Sequence, residues 1–200
     1  MDVSPGSLLA IDPGLAHLGL SLWGPLPGRR PASVQGYGAL CRALWTVHTQ
    51  PEAPVEKRLE ALWITARETC RKHQVRLVVI ERPARAGTYR RNQRGRDPAA
   101  AIAEGLALHH QAVGVLRLAC AQAGVEVRLL PADRRKDAER AAELQLVIPG
   151  QLPGSTEHAR AAAVLAFRYL RSARYRAGQL PAPAFAEVCK VLKGPAPAPR

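Results

Sequence analysis

The stretch that decides the fold is LLAIDPGLAHLGLSLW, residues 8–23. Two short apolar runs flank the turn-forming segment DPGLAH, a pattern that is typical of a β-hairpin. The first run ends in a carboxylate, Asp12, directly before Pro13 and Gly14. Asp-Pro-Gly is ordinary turn chemistry, so Asp12 taken alone fits a turn residue as well as a ligand.

A second carboxylate also ends an apolar run. The segment VRLVVIE, residues 75–81, is rich in β-branched residues and predicts a central strand that is covered on both faces and ends in Glu81. Because neighbouring strands lie about 4.8 Å apart, side chains at their ends can converge. Two nearby carboxylates repel each other unless a proton or cation intervenes, and oxygen ligands of this kind suit Mg²⁺ or Mn²⁺. The alternative for Glu81 is a strand-end salt bridge.

The remaining elements are predicted from periodicity and from capping residues. They are a weak third strand around 33–40, an amphipathic helix over 54–73, a helix over 99–123 capped by Gly124, a strand over 125–130, a short helix within 131–146, and a last helix over 155–176. This order predicts an α/β fold with a mixed sheet and helices on both faces. We expect one domain over 1–178 and a Pro/Ala-rich tail over 179–200.

Composition favours a polyanionic partner. The 200 residues include 29 Lys and Arg against 16 Asp and Glu, a formal net charge of +13. Basic side chains near phosphates release condensed counterions, although charge alone also fits simple solubility. The four cysteines lack zinc-site spacing, and the sequence has no signal peptide and no apolar run of membrane-spanning length. We therefore expect an intracellular protein, cytoplasmic or phage-encoded, with reduced thiols.

An arginine-rich segment follows Glu81. It has no hydrophobic period over residues 82–98, which predicts a loop that contacts the nucleic-acid backbone, with an aromatic residue available to stack on bases. The candidate DNA-binding residues are Arg85, Tyr89, Arg90, Arg91, Arg94 and Arg96. The alternative is an unstructured charged loop without a binding role.

Three segments together carry a resemblance to a known family. LLAIDPGLAHLGLSLW, VRLVVIERP and STEHARAAAVLAFRYL, within residues 7–172, resemble the RuvC-like Holliday junction resolvases of the RNase H-like superfamily. The resemblance implies an RNase H-like mixed five-stranded sheet, a homodimer, and two Mg²⁺ or Mn²⁺ ions. It also implies a structure-selective endonuclease that nicks four-way DNA junctions in recombination and repair.

Site residues follow from the same resemblance. Asp12 and Glu81 correspond to metal-binding carboxylates of the family, and His158 to the first of two metal positions in the last helix. The second position is Ala161, which has no ligand atom. The explanations are a natural variant that uses Glu157 or water, an introduced inactivating substitution, or a protein that binds without cleaving. A lysine that approaches the scissile phosphate in the family corresponds to Lys136.

Two further hypotheses remain open. Besides the junction endonuclease, one alternative is a junction-binding protein with a disabled site. The other is a nuclease of structured RNA similar to the YqgF-like ribosomal RNA processing proteins, whose first strand carries a comparable Asp and Gly pattern. The acidic residues Asp133 and Asp137 are predicted to pair with neighbouring arginines rather than to bind metal. The pair His109 and His110 is predicted to have a packing or interface role.

Overall fold

The computed structural model describes residues 7–24, 33–83, 98–133, 136–148, 150 and 154–176. The strands in these parts are β1 (Ser7–Pro13), β2 (His17–Trp23), β3 (Cys41–His48), β4 (Val75–Arg82) and β5 (Glu126–Pro131). The helices are α1 (Val34–Gly38), α2 (Val55–Lys72), α3 (Pro98–Gln122), α4 (Asp137–Val147) and α5 (Glu157–Arg176).

The five strands form one mixed sheet in the order β3-β2-β1-β4-β5. The central strand β1 pairs with β2 antiparallel and with β4 parallel, and β5 joins β4 in parallel. Because β1 and β4 run in the same direction, their carboxyl ends lie at the same edge of the sheet. This edge is where Asp12 and Glu81 lie.

Side-chain alternation along the strands divides the core into two layers. Leu9 and Ile11 of β1 face α2 and α3, whereas Leu8 and Ala10 face α1, α4 and α5. Successive side chains of a strand point to opposite faces, so Asp12 lies on the same face as Ala10, the α5 side. The predicted mixed sheet with helices on both faces is confirmed.

The third strand is where the prediction from sequence was wrong. Residues 34–38 of the predicted 33–40 strand form α1, whose first turn is capped by Ser33, because its Oγ accepts a hydrogen bond from the Gly36 N–H at 3.1 Å. The strand itself is β3, which starts at Cys41. Its β-branched and aromatic residues, Trp45 to Val47, are the stronger strand formers and determine where the strand lies.

The other predicted elements are confirmed, and most of their ends lie within a few residues of the predicted ones. The short helix α4 begins at Asp137, well inside the predicted segment 131–146. Gly124 follows α3 with a φ of 71°, a left-handed conformation that suits glycine at the end of a helix. The Oγ1 of Thr156 accepts a hydrogen bond from the Ala159 N–H at 3.2 Å and caps α5. Among the described helices none is long and apolar enough to span a bilayer. Within the arginine-rich segment predicted as a loop over 82–98, Arg82 ends β4 and Pro98 begins α3, whereas residues 84–97 and the 179–200 tail lie outside the described residues.

Candidate functional site

Asp12 and Glu81 form a close acid pair at the carboxyl edge of the sheet. Burial, a hydrogen bond with Asp12 and repulsion from its charge raise the pKa of Glu81 to about 8. A hydrogen bond from the backbone N–H of Asp133 and the charge of Arg140 act in the opposite direction. Near neutral pH the acid pair therefore retains a proton, at a position where a cation would relieve the same repulsion.

His158 joins the acid pair from the first turn of α5. Its Nδ1 lies 2.9 Å from Oδ2 of Asp12, and the two side chains are 31% and 16% exposed. The hydrogen bond to Asp12 raises the pKa of His158 above its ordinary value. Glu157 lies at the rim, 60% exposed, with Oε1 3.8 Å from Nε2 of His158. Asp12, Glu81 and His158, which were predicted from sequence, therefore meet in space.

Gly19 allows α5 to approach the sheet closely enough for this contact. It is paired with Asp12 in the β1–β2 ladder. A Cβ placed on Gly19 would lie 2.1 Å from the backbone oxygen of His158, a distance that no real side chain tolerates. The start of α5 thus lies directly on β2. A hydrogen bond between the hydroxyls of Thr46 and Thr156 ties it to β3 as well.

A two-pronged ion pair joins α4 to α5. Arg160 donates from Nε to Oδ1 of Asp137 at 3.2 Å and from Nη2 to Oδ2 at 2.5 Å. Hydrogen bonding to Arg160 lowers the pKa of Asp137. Asp133 lies 3.9 Å from Arg168. Both acids thus pair with an arginine of α5, and for Asp137 this partner is closer than its helix neighbour Arg140.

Arg140, on the first turns of α4, is a site residue that sequence reasoning missed. Its side chain is 18% exposed and lies 3.8 Å from Asp137. Its positive charge lowers the pKa of both Glu81 and His158, which places it beside the acid pair. Its Nε is buried without a hydrogen-bond partner among the described residues. The one available signal was its position three residues after Asp137, on the same helical face.

His109 of α3 also lies near the acid pair. Burial lowers its pKa, and the charge of Asp12 acts in the opposite direction. Its Nε2 is buried and has no hydrogen-bond partner in the described part of the chain. The sequence predicts a packing or interface role for this residue. His109 and Arg140 thus each carry one buried nitrogen without a hydrogen-bond partner among the described residues, and each is close enough to the acid pair to interact with it electrostatically.

The other predicted site residues are placed as follows. Lys136 is exposed immediately before α4, and Ala161 lies in α5 about one turn after His158. Lys136 is not hydrogen-bonded to the acid pair in the described structure. The candidate DNA-binding residues lie outside the described residues: Arg85, Tyr89, Arg90, Arg91, Arg94 and Arg96.

The donor atoms of the site suit a divalent cation. Two carboxylates that share a proton, with an imidazole hydrogen-bonded to one of them, form an oxygen-rich set of the kind that Mg²⁺ and Mn²⁺ prefer. Across the described residues, no three His, Cys, Asp or Glu side chains are already arranged around one ion position. Binding a cation between the two carboxylates would require loss of the shared proton.

Comparison with known proteins identifies structural relatives only. No protein-family model and no curated protein matches the sequence. A Thermus thermophilus RuvC structure matches with a TM-score of 0.60 and 18% identity, over 86% of this chain and 97% of that chain. T. thermophilus RuvC in complex with a Holliday junction substrate matches with the same TM-score and coverage, at 19% identity. The strand order and these matches together establish that the chain has a RuvC-like fold of the RNase H-like α/β type.

Proposed function

We propose that the chain is a metal-dependent endonuclease that nicks four-way DNA junctions. The observation that carries this proposal is the acid pair with His158, at the carboxyl edge of a RuvC-like sheet. The net charge of +13 favours a phosphate-rich partner. One of the structural relatives is in complex with a Holliday junction substrate, which makes branched DNA the substrate to test first.

Asp12, Glu81 and His158 are the residues proposed to hold Mg²⁺ or Mn²⁺, with Glu157 at the rim. A pair of such ions, when bound, supplies an activated water and stabilises the leaving oxygen of a phosphodiester. The Asp133 N–H fixes one oxygen of the Glu81 carboxylate, and Asp12 fixes the ring of His158. These contacts orient the ligand atoms before any substrate arrives.

Arg140 is proposed to bind the substrate phosphate. Its side chain is 18% exposed, and its positive charge acts on both Glu81 and His158. A phosphate oxygen is the natural acceptor for such a donor, because hydrogen bonds between charged groups are the strongest that side chains form. Lys136, exposed at the start of the same helix, is proposed to assist at the phosphate.

Recognition of the DNA arms is assigned to the arginine-rich segment that connects β4 to α3 in the sequence. Arginines there would bind backbone phosphates on both sides of the crossover, and Tyr89 would stack where the arms meet. A four-way junction has two equivalent strands to cut. The proposed active form is therefore a homodimer, which supplies one site for each strand.

The decisive experiment for the proposed function is cleavage of a labelled four-way DNA junction in Mn²⁺ or Mg²⁺. Asp12→Asn is expected to lower the nicking rate by at least about 100-fold, since a lost metal ligand removes several kcal/mol of transition-state stabilisation. Glu60→Gln, an exposed acid on α2, is the matched control and should cleave at the original rate. Nicking by Asp12→Asn at the original rate would rule out the acid pair as the active site.

Ala161 favours a second candidate function, a junction-binding protein that does not cut. It leaves α5 without a carboxylate one turn beyond His158. If the chain binds junctions but never nicks them, and Ala161→Asp nicks them, the second candidate is correct. If neither the original chain nor Ala161→Asp cleaves four-way DNA, but the original chain cleaves structured RNA, the substrate class is RNA.

A further inference from the structure

His17 and His48 form a cross-strand pair at the edge of the sheet. They are register partners in the β2–β3 ladder and lie on the α5 face. Their Nδ1 atoms are 2.8 Å apart, and their ring planes are inclined at 76°. Both side chains are exposed, so solvent reaches them.

The contact between the two rings leaves one nitrogen as a donor and the other as an acceptor. When the donor ring carries its proton on Nε2 instead of Nδ1, both Nδ1 atoms offer lone pairs, and a metal ion can take the place of the hydrogen between them. In a tetrahedral site with metal–nitrogen bonds of about 2.0–2.1 Å, the two nitrogens lie roughly 3.3 Å apart. The rings thus need to separate by only about half an ångström, which exposed side chains can do without moving the strands.

The backbone that carries the pair is firmly held. Thr49, directly after His48, is buried and donates its N–H to the Ala16 carbonyl at 3.1 Å. Its Oγ1 donates to the Leu15 carbonyl at 2.6 Å. The start of β2 and the end of β3 are therefore fixed relative to each other, and ion binding orders only two side chains.

We propose that His17 and His48 bind a borderline-soft divalent ion, such as Ni²⁺, Zn²⁺ or Cu²⁺, at a site separate from the acid pair. Imidazole nitrogen is a preferred ligand of these ions, whereas Mg²⁺ prefers oxygen. Among the described residues no third His, Cys, Asp or Glu completes a metal-binding group with the pair, so the site offers two imidazole nitrogens and solvent would supply the other ligands. The ring of His17 stacks on that of His158 at 5.2 Å, which places the two sites side by side.

Calorimetric titration of the full chain with Ni²⁺ tests this site, with millimolar Mg²⁺ present to occupy oxygen ligands. His17→Gln and His48→Gln are each expected to weaken Ni²⁺ binding at least tenfold. His110→Gln, an exposed histidine of α3, should bind Ni²⁺ as the original chain does. The urea midpoint of each variant shows whether it is folded.

Several results would overturn the proposed site. One is unchanged Ni²⁺ binding by His17→Gln or by His48→Gln. Another is a loss of Ni²⁺ binding only in Asp12→Asn or His158→Gln, because that loss would place the ion at the acid pair. Electron paramagnetic resonance spectroscopy of the original chain loaded with Cu²⁺ tests the site without any substitution. Nitrogen couplings from two imidazoles are expected, and couplings from only one imidazole would contradict the proposal. Nuclease activity enters none of these measurements, so the result is independent of the proposed function.

Discussion

Glu81 makes the stability of the metal-free protein depend on pH in an unusual direction. Its pKa in the folded state, about 8, lies above its ordinary value of 4.5. The folded state therefore holds the proton more tightly, and the stabilisation is complete below 4.5 and lost as the pH rises towards 8. In the presence of a metal chelator, Glu81→Gln and the original chain should have the same free energy of unfolding at pH 5. At pH 9 the free energy of unfolding of Glu81→Gln should be higher than that of the original chain by roughly 1–3 kcal/mol.

Urea denaturation at the two pH values measures this difference. Mn²⁺ added at high pH is expected to stabilise the original chain, because the cation takes over the role of the proton, and to leave Glu81→Gln nearly unchanged. Glu60→Gln, on the exposed surface of α2, controls for the loss of an acid. An equal pH dependence in all three proteins would mean that Glu81 does not hold the proton.

Gly19 is the residue whose substitution should disturb the site most directly without removing a ligand. Gly19→Ala introduces a Cβ that lies 2.1 Å from the His158 backbone oxygen, so α5 must shift away from β2. We expect a loss of about 1–3 kcal/mol in the free energy of unfolding. Gly114→Ala, in α3 with open space around it, should instead stabilise the protein by roughly 0.5–1 kcal/mol. Thermal unfolding of both variants distinguishes the steric clash expected at Gly19 from the stabilisation expected when a helical glycine is replaced by alanine.

At the scale of elements, the position of α4 against α5 depends on Asp137 and Arg160. A double-mutant cycle with Asp137→Asn and Arg160→Gln should give a coupling energy of about 1 kcal/mol at neutral pH, because the pair is two-pronged and partly buried. The pKa of Asp137 is lowered in the folded state, so this coupling is lost as the pH falls through that lowered pKa. A coupling near zero at neutral pH would show that apolar packing alone positions α4.

Sequence periodicity predicted most elements because their patterns have a direct physical cause. The three- and four-residue apolar spacing of α2 and the β-branched run of β4 reflect which faces these elements bury. The third strand was misplaced because the segment before Cys41 is ambiguous, and the capping contact of Ser33 that selects a helix there is only one hydrogen bond. Local pattern cannot resolve such a case.

The site was predictable only in part, for a related reason. Asp12 and Glu81 stood out because a carboxylate at the end of an apolar strand conflicts with its surroundings. Arg140 and His109 did not stand out, because their positions on helices are common for such residues. Their proximity to the acid pair is a consequence of how α3 and α4 pack, which sequence spacing within a single helix does not encode.

At the scale of the whole molecule, the positive charge should make DNA binding strongly dependent on salt. Replacing Arg90, Arg91 and Arg94 by Gln should weaken junction binding and reduce the slope of log K against log salt by about 0.9 for each phosphate that is no longer neutralised. The control replaces three exposed basic residues near the opposite edge of the sheet, Arg71, Lys72 and Arg76. Fluorescence anisotropy over a salt series measures both slopes. If the arginine variant and the original chain had equal salt slopes, the arginine-rich segment would not contact the DNA.

The docking of α5 on β2 at Gly19 also makes assembly of the site depend on a late-synthesised helix. The ribosome makes both members of the acid pair early, but His158 follows Glu81 by nearly 80 residues, several seconds at about 5–20 residues per second. Until α5 arrives, the layer of Leu8, Ala10 and Trp23 has no cover from this helix. The nascent chain therefore passes through a stage in which this layer is still open and the acid pair has no His158 beside it, and docking of α5 ends both conditions together.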